Sequence, residues 1–399
     1  MIAIVLIMGI YDFVVGIFVG IGLAFVSLVV QTSQISAVRA SYSGEVAGST
    51  VRRNAVQHRY LREVGKQIHV TKLAGYLFFG TIVSVEERIR TLVDDKAFFN
   101  RPIRFLVFDL MHVTGIDYSA AEAFNRINRV LSKKGVSMVV SGVDPYDPIG
   151  LSLRNVGLGE NGNLVKLHAD LNAALEDCEN ELLKAFYLSK EARITARNAP
   201  STNLDVPGQK APFFSVDFQF SVSPRRHHLQ QAAHKTIKEA EETMQPKWQN
   251  FKEPLRLILQ TFYGLTDKNE DFWFRAVKYF TRREHPAGTI LYHRSQPANG
   301  FYLLEEGILR AEYNLPQGRY FESIVAGTTC GELPFFSETE RTATVQAERD
   351  CVTWSLDREG WEKLQLAESV VAKELLRVSL KLTTERMSAI TSYVLTTAG

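Results

Sequence analysis

The chain has 399 residues, enough for two or three domains of ordinary size. Its 46 lysines and arginines nearly balance 44 aspartates and glutamates, and the resulting net charge of +2 gives no global argument for a nucleic-acid partner. Three cysteines, Cys178, Cys330 and Cys351, lie far apart without metal-ligand spacing, which suits a reducing compartment better than a disulfide framework.

Residues 2–30 carry a single charge, Asp12. The run from Val14 to Val30 approaches the roughly 20 apolar residues that span a bilayer. No basic stretch precedes it, so the reading is a transmembrane helix segment over 1–31 rather than a signal peptide. Ile2 to Ile10 reads as the end of a preceding helix, and Gly16, Gly20 and Gly22 form a small-residue face suited to helix packing. Residues 32–65 form a basic connector with Arg39, Arg52, Arg53, Arg59 and Arg62, and Lys66 follows. The positive-inside rule then places this side in the cytoplasm, giving an integral membrane protein in contact with lipid.

Phe105-Leu106-Val107-Phe108 has the apolar continuity of a strand buried on both faces, and Asp109 closes it. A short loop leads to Ile116-Asp117-Tyr118-Ser119. A helix follows with Ala121, Phe124, Ile127, Val130 and Leu131 on one stripe, stopped by Gly135. Val136 to Val140 is a second strand, so the unit is strand–loop–helix–strand with a parallel pair. Gly157-x-Gly159-x-x-Gly162 matches a dinucleotide fingerprint in spacing only. A helical run, Leu151 to Val156, precedes it and the strand-like Leu164 to Leu167 follows, so a helix cap and turn explain these glycines.

Residues 187–224 carry breakers without periodicity and read as a linker; 225–280 is a helical segment. His227, His228 and His234 lie there beside Arg225, Arg226 and Lys235, which reads as a solvated basic face with some affinity for anionic lipid headgroups, not as a metal site. From 281 to 366 short strands alternate with glycine turns, as in a jelly roll, and 367–399 returns to helix.

Two parts resemble known families. Asp109, Asp117, Ser119 and Ala120, with Leu73 to Gly80 upstream and Asn172 to Glu179 downstream, resemble the STAS domain over 66–186. Phe301 to Gly307, Cys330-Gly331-Glu332-Leu333 and Arg341-Thr342-Ala343-Thr344-Val345 resemble the cyclic-nucleotide-binding domain. That second resemblance implies a ligand site at Gly331, Glu332, Leu333, Arg341 and Thr342. Glu332 would hold the ribose 2′-hydroxyl and Arg341 the cyclic phosphate, so a cyclic nucleotide is the implied cofactor. Pro334 departs from the family pattern, because proline has no N–H to give the phosphate, a loss of about 1.5–3 kcal/mol. Ser295-Gln296 stands where the family has a glycine-acidic turn. The STAS resemblance implies a regulatory phosphorylation site at Ser119, with a helix-capping serine as the alternative.

The fold class expected is therefore multi-domain: an N-terminal transmembrane segment, an α/β STAS domain, a helical linker and a β-roll nucleotide-binding-like domain with C-terminal helices. No P-loop, nucleophile elbow or zinc-hydrolase motif is present, so no enzyme is expected. Membrane segment, connector and STAS domain in that order resemble the C-terminal part of SulP/SLC26 anion transporters. This implies a regulatory portion of a sulfate transporter, with the transporter membrane domain, other STAS-interacting proteins or a second copy as partners. A membrane-tethered cyclic-nucleotide sensor, or a scaffold using STAS as its interaction module, is the alternative.

Overall fold

The apolar run at 105–108 extends in the computed structural model into a strand of twelve residues, Phe105–Ile116. The structure describes residues 13–33, 36–94, 98, 102–159, 165–198, 224–243, 248, 250–316 and 318–398. In chain order the first elements are α1 (Phe13–Ser33), β1 (Val38–Ser43), α2 (Ala55–Val64), β2 (Ile68–Leu77), α3 (Phe79–Leu92), β3 (Phe105–Ile116), α4 (Tyr118–Lys133), β4 (Ser137–Ser141), α5 (Pro148–Asn155), β5 (Lys166–His168) and α6 (Leu171–Asn198). Helices α7 (Pro224–Thr243), α8 (Leu255–Thr261) and α9 (Glu270–Val277) lead to β6 (Thr281–His285), β7 (Ile290–Tyr292), β8 (Gly300–Glu306), β9 (Ile308–Leu315), β10 (Gly318–Val325) and β11 (Thr328–Cys330). Then come α10 (Glu332–Ser337), β12 (Thr344–Ala347), β13 (Cys351–Asp357), α11 (Arg358–Ala367) and α12 (Ser369–Ala398). The chain divides into two units, residues 1–44 with 66–175 and residues 45–65 with 176–398.

The first unit is built on a five-stranded sheet in the order β1-β2-β3-β4-β5, with β1 antiparallel to β2 and the rest parallel. Leu106, Phe108 and Leu110 alternate along β3 into a core with Phe124, Ile127 and Leu131 of α4 and Ile82, Val85 and Ile89 of α3. Asp109 does not close the strand: it is buried, accepts from Met111 N–H (3.2 Å) and lies beside buried Lys72, while the pairing with β2 runs on to Leu77↔Ile116. Gly157, at φ +84°, follows the end of α5, as the helix-cap reading of the glycine run requires; Gly162 lies outside the described residues.

The expectation of a membrane-spanning N-terminus is overturned. Among the described residues no helix is long and apolar enough to cross a membrane. The described part of helix α1 runs from Phe13 to Ser33. The transmembrane segment is removed from the fold class, and the integral-membrane localisation with cytoplasmic domains loses its support. Residues 1–12, including the run Ile2 to Ile10, lie outside the described residues.

A second correction concerns the basic connector at 32–65. It holds strand β1, which completes the five-stranded sheet, and the helix α2, capped by Asn54 accepting from Gln57 N–H (3.0 Å). Its charges hid an amphipathic helix whose Tyr60 and Val64 are buried.

The second unit carries two four-stranded antiparallel sheets, β10-β9-β12-β7 and β11-β8-β13-β6, in the roll expected from the glycine-spaced strands. Leu304, Leu309, Ala311, Ile324, Val345 and Cys351 fill the roll. Phe301, Leu303, Phe335 and Leu356 pack outward on Phe262, Trp273, Trp361 and Leu375 of the flanking helices. Strand β10 lies at an edge of its sheet, and the extended stretch at Arg52 docks there through a parallel bridge to Ile324.

Candidate functional site

The site forms where β11 gives way to α10. Gly331 takes φ +77°, a conformation that glycine adopts without strain, and a side chain there would run into the Arg341 guanidinium. That turn carries the next residue, Glu332, inward to 3% exposure and leaves Leu333 half-exposed at 46%. Pro334 is buried in the same short helix. Across the pocket, Arg341 is held by its neighbours' backbone: its N–H donates to Gln296 O and its carbonyl accepts from Ser295 N–H, both at 2.8 Å. Ser295 makes this turn at φ +63°, doing what the glycine of the family pattern would do. Thr342 is exposed at the rim.

Gly331, Glu332, Leu333, Arg341 and Thr342, the residues the family resemblance points to, line one cavity. The Arg341 guanidinium, however, is spent on carbonyls. It donates to Gly331 O (3.1 Å) and to Gly300 O, and lies 4.0 Å over the Tyr292 ring. Its Nε and the second carboxylate oxygen of Glu332 are buried without a hydrogen-bond partner among the described residues.

The cavity is occupied by another guanidinium. Arg52 Nε donates to Glu322 Oε1 (2.8 Å), and its Nη1 donates to Thr329 O (2.9 Å) and Glu332 Oε1 (3.3 Å). Glu322, only 2% exposed, also accepts from Tyr313 Oη (3.1 Å) and from Arg386 Nη2 of the C-terminal helix. Burial works against the Arg52 charge, but Glu322 and Glu332 outweigh it and hold the guanidinium well above its ordinary pKa. Burial likewise works against Glu322, and Arg52 and Arg386 bring its carboxyl below the usual range. Burial pushes the Cys330 thiol and the Tyr292 hydroxyl upward, so both stay neutral around the charges. About 20 Å³ of free space remains, room for roughly one water.

Arg52 is fixed from both sides. Glu179 accepts from Ser49 N–H (2.7 Å) and Arg53 Nε (2.9 Å), and Asn54 Nδ2 donates to Ala326 O (3.3 Å). Arg52, Glu322, Tyr313 and Arg386 were missed from the sequence. The one legible signal was Glu322, which shares the inward register of β10 with Ile324.

Ser119 is exposed in the first turn of α4 in the other unit. The capping residue is Asp117, which accepts from Ala120 N–H (2.7 Å) and from Phe79 N–H at the start of α3 (3.3 Å). The serine cap is thereby corrected: Asp117 sits one residue before the helix, where the free amides converge. His228 is half-buried and His234 exposed, while the side chains of Arg225, Arg226 and His227 lie outside the described residues. Among the described residues no group of three His, Cys, Asp or Glu side chains could hold a metal ion.

Comparison with known proteins agrees with this division. Residues 282–367 match the family described as cyclic nucleotide-binding domain, and residues 62–166 match the STAS domain family. The chain carries both domains, and the first is of a type consistent with a cyclic nucleotide ligand. It is 32% identical over 440 residues to a Saccharomyces cerevisiae protein named vacuolar basic amino acid transporter VSB1, an alignment covering 99% of this chain and 42% of that protein. The chain thus spans under half the length of the yeast protein. It is 27% identical over 127 residues to an uncharacterized NTE family protein of Mycobacterium tuberculosis, covering 32% of this chain and 21% of that one. Among solved structures, a cyclic nucleotide-binding domain from Methylobacillus flagellatus superposes with a TM-score of 0.33 at 19% identity, over 35% of this chain and 80% of that one.

Proposed function

We propose that this chain is the regulatory portion of a transporter of basic amino acids, with the nucleotide-type domain as its sensing element and the STAS domain as its interaction element. The observation that carries the reading is the occupied pocket. A domain of a ligand-sensing type is closed by the chain's own Arg52, on the segment that leads through α2 to β2 of the STAS sheet. A pocket that can be plugged can be unplugged, and the plug sits on the chain segment between β1 and β2 of the STAS sheet. The transporter-named yeast relative supports the cargo class. Sulfate rested on the resemblance of an apolar segment, a connector and a STAS domain in that order to SulP/SLC26 transporters, and is the weaker reading. Docking of STAS on a transporter membrane domain or on a second copy belongs to the same reading, as does control by a phosphate on Ser119.

The test is uptake of labelled arginine, lysine and sulfate into membrane vesicles from the source cells, with the native gene or with Arg52→Ala. The expected result is arginine and lysine uptake that depends on the gene and changes several-fold with the substitution. Gene-dependent uptake of sulfate alone would remove the cargo class, and uptake indifferent to Arg52→Ala would remove the regulatory role. A cyclic nucleotide as the sensed ligand is the second reading. It is favoured by the buried, unpartnered Glu332 oxygen at the ribose position and is tested by calorimetry with cyclic AMP and cyclic GMP.

A further inference from the structure

The residue that fills the pocket is presented as a free amino acid would be. Its main-chain N–H donates to Ser323 O (2.8 Å), and its carbonyl accepts from Val325 N–H (3.2 Å). Both partners belong to β10, whose outer edge carries no other strand among the described residues. Its side chain lies across Glu322, Thr329 O and Glu332. Backbone nitrogen, backbone oxygen and guanidinium are each recognised by a separate group.

The side-chain contacts discriminate. Nε on one carboxylate and Nη1 on a carbonyl and a second carboxylate use the planar fork of a guanidinium, whereas a lysine ammonium offers a single point. The remaining Glu332 oxygen, buried and unpartnered, leaves acceptor capacity in the same pocket. Charge points the same way. Without Arg52, Glu322 and Glu332 would face Arg341, which is held on carbonyls, and Arg386. A guanidinium restores the missing partner, while the anionic phosphate of a cyclic nucleotide would not.

We infer that this pocket is a binding site for a free guanidino amino acid, L-arginine, and that Arg52 is its built-in competitor. The ligand's α-ammonium donates to Ser323 O, its α-carboxylate accepts from Val325 N–H, and its guanidinium takes the place of the Arg52 side chain between Glu322 and Glu332. Occupancy is exclusive, since about 20 Å³ is free while Arg52 is in place. The inference rests on the reading above, in that a regulator of basic amino acid transport would sense a basic amino acid.

The experiment is calorimetry of the full chain, native and Arg52→Ala, with L-arginine, L-lysine and cyclic AMP. Arg52→Ala is expected to bind one L-arginine about 100-fold more tightly than the native chain, because a tethered competitor acts at millimolar effective concentration. L-lysine should bind about tenfold or more weakly than L-arginine. Adding Glu322→Gln should abolish the arginine signal. Folded Arg52→Ala, judged by its circular dichroism, that takes no arginine, takes lysine equally, or takes cyclic AMP instead would overturn the site. Should Arg52→Ala not fold, hydrogen exchange of residues 49–54 in the native chain decides. L-arginine should accelerate it and L-lysine should not; no acceleration by arginine overturns the proposal equally. Arginine binding with uptake indifferent to Arg52 would defeat only the transporter reading, and Arg52-dependent uptake without arginine binding only this site.

Discussion

Glu322 joins three elements through one carboxylate: Arg52 of the extended stretch, Tyr313 of β9 and Arg386 of α12. Removing its charge takes a carboxylate from two half-buried guanidinium groups, leaving Arg52 with Glu332 and Arg386 with Tyr313, so Glu322→Gln is expected to cost about 3 kcal/mol, read by urea denaturation. Arg52→Ala should cost less, because Arg386 still answers Glu322. The pKa of Glu322 is depressed in the fold, so its contribution is complete above the ordinary carboxylate range and is lost as pH falls through the lower folded value. Gly331 is the other sensitive residue. Gly331→Ala combines a left-handed backbone, costing about 1–2 kcal/mol, with a methyl group against Arg341, and should lower the melting temperature while displacing that guanidinium.

Helix α4 begins at a carboxylate that serves two helices, because the β2–α3 turn and the β3–α4 turn meet at Asp117. Asp117→Ala is expected to cost about 1–2 kcal/mol, and exposed Ser119→Ala to stay within about 0.5 kcal/mol, when both are measured by thermal unfolding. Equal effects would return the cap to Ser119. At this scale the strands were read well wherever burial and periodicity agreed, as in β8, β9 and β4. They were read poorly where function or pairing overrode composition. Asp109 was read as the end of its strand and lies within a paired one, because it is buried beside the opposite charge of Lys72. Strand β1, Val-Arg-Ala-Ser-Tyr-Ser, has no alternating apolar face, and only its pairing with β2 makes it a strand.

Each unit of the molecule carries a half-buried histidine whose pKa is lowered. Burial is the main cause for His69 in the first unit and for His285 in the second, with Arg88 and Arg283 adding to it. Between the lowered value and the ordinary 6.5 the unfolded chain binds more protons, so stability falls as pH drops through about 6.5. Melting of the chain across pH 5–7.5 should show this loss, and His285→Gln should reduce it in the second unit only, where His58 is lowered by burial as well. A melting temperature rising on acidification would refute the assignment.

The sequence by itself determined the two domain types and the order in which they occur, and its resemblance to a known family pointed to five of the residues that line the pocket, because the motifs that carry a resemblance are local: a glycine turn, a glutamate after it, an arginine nine residues on. It did not determine what fills that pocket. Arg52 lies 280 residues before Glu332 and in a stretch whose composition says only that it is basic. Its meaning comes from an edge strand that accepts one more extended segment and from two buried carboxylates that need a cation. The apolar N-terminus shows the same division in reverse, since composition suggested a span and, among the described residues, no helix is long and apolar enough to make one. Long-range pairing of charge and backbone is a tertiary property, and it decided the state of the site.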